Sequence, residues 1–323
     1  MPAVLGIDVQ NKLQPTMMFL TEEMGLSSSQ LESVLKRNPQ VFGLALETAC
    51  REQLAFLLAT AKIPPHQISV VVARAPSILT LSVHRTLKPN LKFLLRVGVP
   101  ETKIPSTLAK APSLLCCSRK AHLVPILRFM TREVGVAPQR IGAMIASQPQ
   151  VFMSNLDGKL RGNVEFLRSE LCLKPVSLSK IVQNQPGLLG FSHDNLRAKT
   201  DFFVQRLDTT PGMVGRMLAT FPALFTLSIE SNIAPKLDFM LGNMEVEAKQ
   251  LVNSPQLLAY SLRGRIMPRY LHLWDQNLLK SSTLSTMLVP SDAQFADRYG
   301  CWVRLSEQQG AELLSLDSDE ELY

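Results

Sequence analysis

The residues of this chain with a recognisable chemistry are cations held at a fixed distance from a recurring proline. Arg85, Lys88, Lys92, Arg119, Lys120, Arg128, Lys159, Arg161, Arg197, Lys199, Lys236, Arg263, Arg265 and Arg269 all lie seven to sixteen residues past one of seven prolines. Those seven windows hold 15 Lys/Arg against 8 Asp/Glu, so the net charge of +7 resides in them and the remaining residues balance. Three windows contain no acid: Arg85 with Lys88 and Lys92; Arg119 with Lys120 and Arg128; Arg263 with Arg265 and Arg269. Cations repeated at a constant interval suit a polymer of regularly spaced phosphates, with an affinity that falls as salt rises. Helix N-termini beside them would add backbone N–H donors and a positive dipole end. The plain alternative is a solvated helix face.

Other chemistries find little support. No P-loop, G-x-S-x-G, HExxH or DxDxDG run is present, and acid pairs such as Glu22-Glu23 and Glu320-Glu321 have a solvated character. We therefore expect no enzymatic activity, no cofactor and no metal. His84, His122 and His193 follow their prolines by eight, ten and seven residues, which puts them on different repeats and leaves solvent-exposed loop positions as the default, with phosphate contact open. His66 and His272 have no evident partners. The five cysteines lack CxxC spacing and are read as reduced core thiols. Four Tyr and two Trp are too few for a stacking ladder, and no two-residue base code is visible. Duplex nucleic acid or structured RNA is favoured over a single strand.

The prolines are Pro39, Pro76, Pro112, Pro149, Pro186, Pro222 and Pro255, spaced by 37, 36, 37, 37, 36 and 33 residues. Each opens a four-residue signature: PQVF, PSIL, PSLL, PQVF, PGLL, PALF, PQLL. A fixed period of this length marks a repeat architecture. In Thr86–Lys120, Pro89 suits a first helical turn, and Leu91, Leu94 and Leu95 share a face. Gly98 and Pro100 end that helix, and a second carries Ile104, Leu108 and Ala111. Pro112 forces a turn, from which Leu114 and Leu115 enter the core, in a 3₁₀ conformation. A Phe recurs before each proline (Phe19, Phe56, Phe93, Phe129, Phe166, Phe202, Phe239), and so does an apolar residue eight before it (Leu31, Ile68, Ile104, Ile141, Leu178, Val214). These stripes predict core.

The organisation expected is a lead over 1–12, seven repeats over 13–264, a divergent capping repeat over 265–305 containing IMPRYLHLW, and a tail over 306–323 with six acids and no Lys or Arg. MPAVLGIDVQNK shows neither a transit segment nor a signal peptide, and no apolar run is long enough for a membrane span.

The period, the Pro-x-apolar-(Leu/Phe) signature in seven copies, the Phe in the first helix and the RIMPR…SDAQFADRYG ending resemble the mitochondrial transcription termination factor (mTERF) family, over about residues 13–300. The resemblance implies an all-α fold, a solenoid of about eight repeats, each with two α-helices and a 3₁₀ turn, stacked into a curved left-handed superhelix with a basic concave face. It implies nucleic-acid binding in mitochondria or plastids, with roles in transcription, termination, RNA metabolism or ribosome assembly, by a monomer whose partner is double-stranded DNA or structured RNA. A further partner open to such a solenoid is an organellar transcription or ribosome-assembly protein, which it would serve as an interaction scaffold.

Overall fold

The computed structural model describes residues 8, 10, 13–43 and 50–300. Among them every regular element is helical, and the same succession of first helix, second helix and 3₁₀ turn returns about every 36 residues. The residues up to 165 together with 175–192 form one compact unit, and 166–174 together with 193–300 form another. The predicted tail, Cys301 and most of the lead lie outside the described residues. No described helix is long and apolar enough to cross a membrane.

The local rules that build one repeat recur in the others. A residue six past the proline accepts a hydrogen bond from the backbone N–H three residues on and so starts the first helix: Ser82 to Arg85, Ser118 to Ala121, Asn155 to Gly158, Ser228 to Ser231 and Ser261 to Gly264. Such caps are worth about 1 kcal/mol each. In the third repeat this sets the helix start at Val83, earlier than the apolar spacing alone indicates; the helix then runs on as Lys88–Arg96. Its second helix is Ile104–Lys110, and Pro112–Leu115 forms the 3₁₀ turn. The residue ahead of each described turn leaves the helical region, with Gln148 at φ −133°, ψ 64° and Gln185 at φ −134°, ψ 70°, as the clash with a following proline ring demands.

The core follows the repeated apolar positions. The two signature residues after the proline are buried in every described case, from Ile78 and Leu79 to Leu257 and Leu258, and so is the residue eight before it in the first six repeats; before Pro255 that position is the exposed Glu247. The Phe stripe is only partly as expected. Phe19, Phe56, Phe129, Phe166 and Phe239 are buried, but Phe93 and Phe202 are half-exposed. The innermost position is the next one along: Leu20, Leu57, Leu94, Met130, Leu167, Phe203 and Met240 are essentially inaccessible. Full burial of such a side chain contributes roughly 1.5–3 kcal/mol.

Successive repeats approach closely where glycine removes the side chain. A Cβ on Gly142 would lie 2.0 Å from the carbonyl of Gly98, and one on Gly215 would lie 2.0 Å from the carbonyl oxygen of Leu171. Both glycines stand seven residues before a signature proline, so one position in the second helix admits the backbone of the preceding repeat.

Candidate nucleic-acid interface

A single position, three residues before the recurring Phe, explains much of the polar interior. It is filled by Thr16, Gln53, Asn90, Ile126, Asn163, Lys199 and Lys236, and by Arg269 in the C-terminal unit; all the polar ones are buried. Gln53, Asn90, Asn163, Lys199 and Lys236 donate to one or both of the carbonyls three and five residues past the proline, in the turn of their own repeat. Asn90 Nδ2 reaches Leu115 O at 2.7 Å and Cys117 O at 2.9 Å. Asn163 Nδ2 reaches Leu189 O at 3.0 Å and Phe191 O at 2.8 Å. Gln53 Nε2 reaches Leu81 O at 3.0 Å. Carbonyls of a turn buried behind a helix need donors, and this position supplies them. Where Ile126 supplies none, His122 one turn earlier lies 3.0 Å from Phe152 O.

Three of the predicted phosphate contacts belong to this staple. Lys199 Nζ donates to Phe225 O and Leu227 O, both at 2.6 Å. Lys236 Nζ donates to Leu258 O and Asn232 Oδ1, both at 2.7 Å. Arg269, with no exposed surface, donates to Met287 O at 2.8 Å and Pro290 O at 2.9 Å and pairs with Asp292 at 2.7 Å. Burial lowers the pKa of all three, partly offset at Arg269 by the Asp292 carboxylate. These three therefore leave the set of phosphate contacts: a charge count along the sequence cannot tell a cation that meets solvent from one that replaces Asn at the same inward position. Arg269 also shows why the C-terminal unit folds like a repeat without its proline. It also reaches Leu288 O at 3.5 Å, and Leu288 and Pro290 are the third and fifth residues after Ser285, so Leu284–Leu288 takes the place of the turn.

A second group of cations clasps neighbouring repeats. Arg161 pairs with Glu133 at 2.5 Å and lies 5.3 Å from the Phe129 ring centre. Arg197 pairs with Glu170 at 2.6 Å and lies 5.9 Å from the Phe166 ring. Arg51 repeats the motif with Glu23 and Phe19. All three arginines stand five residues before a recurring Phe and reach back one repeat. Arg265 is half-buried, 4.9 Å from the Tyr260 ring and 3.6 Å from Asp292. Arg119 is exposed but donates to Pro89 O at 3.3 Å.

The remaining predicted cations face solvent with no ion pair among the described residues: Arg85, Lys88 and Lys92 in the third repeat, Lys120 and Arg128 in the fourth, and Arg263 in the C-terminal unit. Lys159 is likewise unpaired but half-buried. Helical spacing adds Arg96 and Arg132, exposed four residues beyond Lys92 and Arg128 on the same faces. Both fall outside the windows that selected the other cations; the i, i+4 spacing was the signal available. Lys92 and Arg128 share the position just before the recurring Phe, which is acidic in the next three repeats as Glu165, Asp201 and Asp238. On this helix face, positive charge is concentrated in the third and fourth repeats.

The other singled-out residues serve the fold. His84 lies 3.2 Å from Glu52, and His193 packs edge-on against the Phe166 ring at 5.0 Å. His272, for which the sequence suggested no partner, lies 2.8 Å from Tyr299 O. Cys50 is buried and Cys116 and Cys117 are half-buried, but Cys172 is exposed, contrary to the reading of all cysteines as core thiols. Burial, then the neighbouring Cys116, pushes the Cys117 thiol up to about 11, which keeps it protonated and unreactive at neutral pH.

With this geometry in hand, comparison with known proteins settles the kinship. The family model described as mTERF matches residues 1–296, and the chain belongs to that family. Curated relatives from Arabidopsis thaliana match shorter stretches. One similar to it is the chloroplastic transcription termination factor MTERF5, 40% identical over 57 residues, 18% of this chain and 11% of that one. MTERF2, also chloroplastic, is 28% identical over 156 residues, 48% of this chain and 24% of that one. Chloroplastic MTERF8 is 23% identical over 97 residues, 30% and 19% of the two chains. The matches thus span less than a quarter of each of these relatives.

Proposed function

We propose that this mTERF protein binds organellar double-stranded DNA or structured RNA through the exposed cations of its first helices, and regulates transcription, termination or RNA metabolism by occupying a site rather than by catalysis. The observation that carries the reading is the group of exposed cations of the third and fourth repeats, Lys88, Lys92, Arg96, Arg128 and Arg132, with no ion pair among the described residues. Their helices present cations one turn apart, a spacing that lets neighbouring side chains reach successive phosphates. Contacts of this kind position a protein on a nucleic acid without specifying sequence. The relatives' descriptions as chloroplastic transcription termination factors favour a plastid within the mitochondrion-or-plastid alternative.

The test is binding of the purified chain to random duplex DNA and to structured RNA across a salt series. Tight binding that weakens steeply with salt supports the reading, and the ratio of the two affinities chooses between DNA and RNA. Absence of binding in low salt would overturn it.

One observation favours a second reading, a protein-interaction scaffold. In the C-terminal unit a cleft of about 830 Å³ is lined by Asn243, Tyr270, Trp274 and Met287 among others, and Trp274 is 60% exposed. An exposed Trp beside a cleft is typical of an anchor for another protein. Capture of a ribosome-assembly or transcription protein that is lost on Trp274→Ala, with nucleic-acid binding unchanged, would support it.

A further inference from the structure

Between the fourth and fifth repeats, within the first compact unit, a cleft of about 640 Å³ is bordered by Arg132, Arg140 and Lys180. All three are exposed, and none makes an ion pair among the described residues. One acid, Glu133, reaches the same cleft, and it is engaged by Arg161. The floor is polar and ordered: Gln183 Nε2 donates to Ser179 Oγ at 2.9 Å, and Ser179 Oγ donates to Gly135 O at 2.7 Å. That carbonyl belongs to Gly135, whose positive φ of +80° recurs at the same turn of the neighbouring repeats, at Gly98 and at Cys172.

The combination is confined to this pair of repeats. The position of Lys180, six before a signature proline, is Ser33, Val70, Ser106 and Ala143 in the four repeats before it and Arg216 and Lys249 in the two after, so it is the joint presence of Arg132, Arg140 and Lys180 that is particular to this pair. The position of Arg140, nine before a signature proline, is Lys103 one repeat earlier, where the following repeat has Ala143 in place of Lys180, and it is Ser177 and Met213 in the two repeats after. The cleft lies at the end of the first helix, one turn past Arg128 and far from the predicted phosphate contacts at that helix's start. Arg132 and Arg119 are thirteen residues apart on one helix, about 20 Å at 1.5 Å per residue.

We propose that this cleft is a phosphate-binding site that shares Arg132 with the interface proposed above, taking either a phosphate of a nucleic acid or the phosphates of a small free nucleotide or polyphosphate. Two guanidinium groups and an ammonium border a volume within the range of about 300–1,000 Å³ usual for small-ligand sites. Charge-assisted hydrogen bonds from Arg and Lys are the strong contacts that phosphate selects. The site stands whether or not the first-helix cations bind a polymer.

The experiment is calorimetric titration with inorganic pyrophosphate at low salt, on the full chain, its Arg140→Gln/Lys180→Gln variant and a Lys103→Gln/Lys110→Gln control with the same loss of charge away from the cleft. Thermal melts confirm that all three are folded. The wild type and the control should bind pyrophosphate saturably, and the cleft variant about tenfold more weakly or not at all. No saturable binding by the wild type, undiminished binding by the cleft variant, or an equal loss in the control would each overturn the proposal. Parallel titrations with duplex DNA and structured RNA assign the source: a loss in the cleft variant points to a polymer phosphate, and unchanged polymer binding points to a free phosphate ligand.

Discussion

Lys199 occupies in its repeat the place that Asn163 occupies one repeat earlier, and the two side chains hold the same pair of carbonyls. Asn163 reaches Leu189 O and Phe191 O, and Lys199 reaches Phe225 O and Leu227 O. The longer, charged side chain does the work of an amide. Its charge is secondary to its capacity to donate two hydrogen bonds from inside the repeat. This predicts that Lys199→Gln retains most of the stability, because Gln53 fills the same position elsewhere with a donor. Lys199→Leu leaves two turn carbonyls unsatisfied and should cost about 1–3 kcal/mol. Urea denaturation of the two variants checks it; equal stability of Leu and Gln at this site would refute the staple.

The same burial predicts a pH dependence. Lys199 and Lys236 have pKa values pulled below the ordinary 10.5 by desolvation. Between the lowered native value and 10.5, the unfolded chain binds more protons than the native one, so stability from these residues rises with pH across that window. Below the lowered value the cost of holding a buried ammonium is fully present, and above 10.5 it is gone. A Lys199→Gln/Lys236→Gln variant has lost this term. The wild type should therefore gain on the variant as pH climbs from neutral toward 10.5 in parallel urea titrations. A constant difference would show that the two ammonium groups are not desolvated in the native state.

Repeat length, helix order and core stripes could be read from the chain because they rest on periodic apolar residues and on a proline whose geometry is fixed wherever it falls. Ile68, Leu178 and Val214 are buried where their spacing put them. The cations were less legible. Lys88 and Lys92 face solvent, while Lys199 and Lys236, in similar windows, point inward; two helical residues of offset from the recurring Phe separate the two directions. Aligning repeats on the Phe rather than the proline would have placed Lys199 under Asn163 and exposed the difference. Arg132 and Arg140 escaped notice because their meeting with Lys180 depends on packing between repeats, which no single window contains.

Close approach at Gly142 yields a prediction of opposite sign from helix propensity. Alanine in the interior of Pro138–Ser147 would by itself stabilise the helix by about 1 kcal/mol. Its Cβ would instead meet the Gly98 backbone at 2.0 Å, and backbone cannot rotate aside as a side chain can. Gly142→Ala should lose about 1–3 kcal/mol through overpacking. Gly162→Ala is the counterpart, since a Cβ there meets nothing within 4 Å; it should be neutral to stabilising by roughly 1 kcal/mol. Thermal melts of the two variants separate packing from propensity, and loss of stability in both would leave the close approach without a role.

The proposed interface makes a prediction about salt dependence that distinguishes three kinds of cation. Lys92 and Arg128 are exposed and carry no ion pair among the described residues, Arg161 and Arg197 are exposed but paired, and Lys199 and Lys236 are buried. Each phosphate contact contributes about 0.9 to the slope of log affinity against log salt on a duplex. Lys92→Gln/Arg128→Gln should thus lower the slope by roughly two and weaken binding across sequences alike. Arg161→Gln/Arg197→Gln should change it less, because those guanidinium groups must first leave Glu133 and Glu170. Lys199→Gln/Lys236→Gln should leave the slope of the folded protein unchanged. Fluorescence anisotropy over a salt series measures all three. An unchanged slope in the first variant, or its full loss in the third, would move the interface away from the helix faces of the third and fourth repeats.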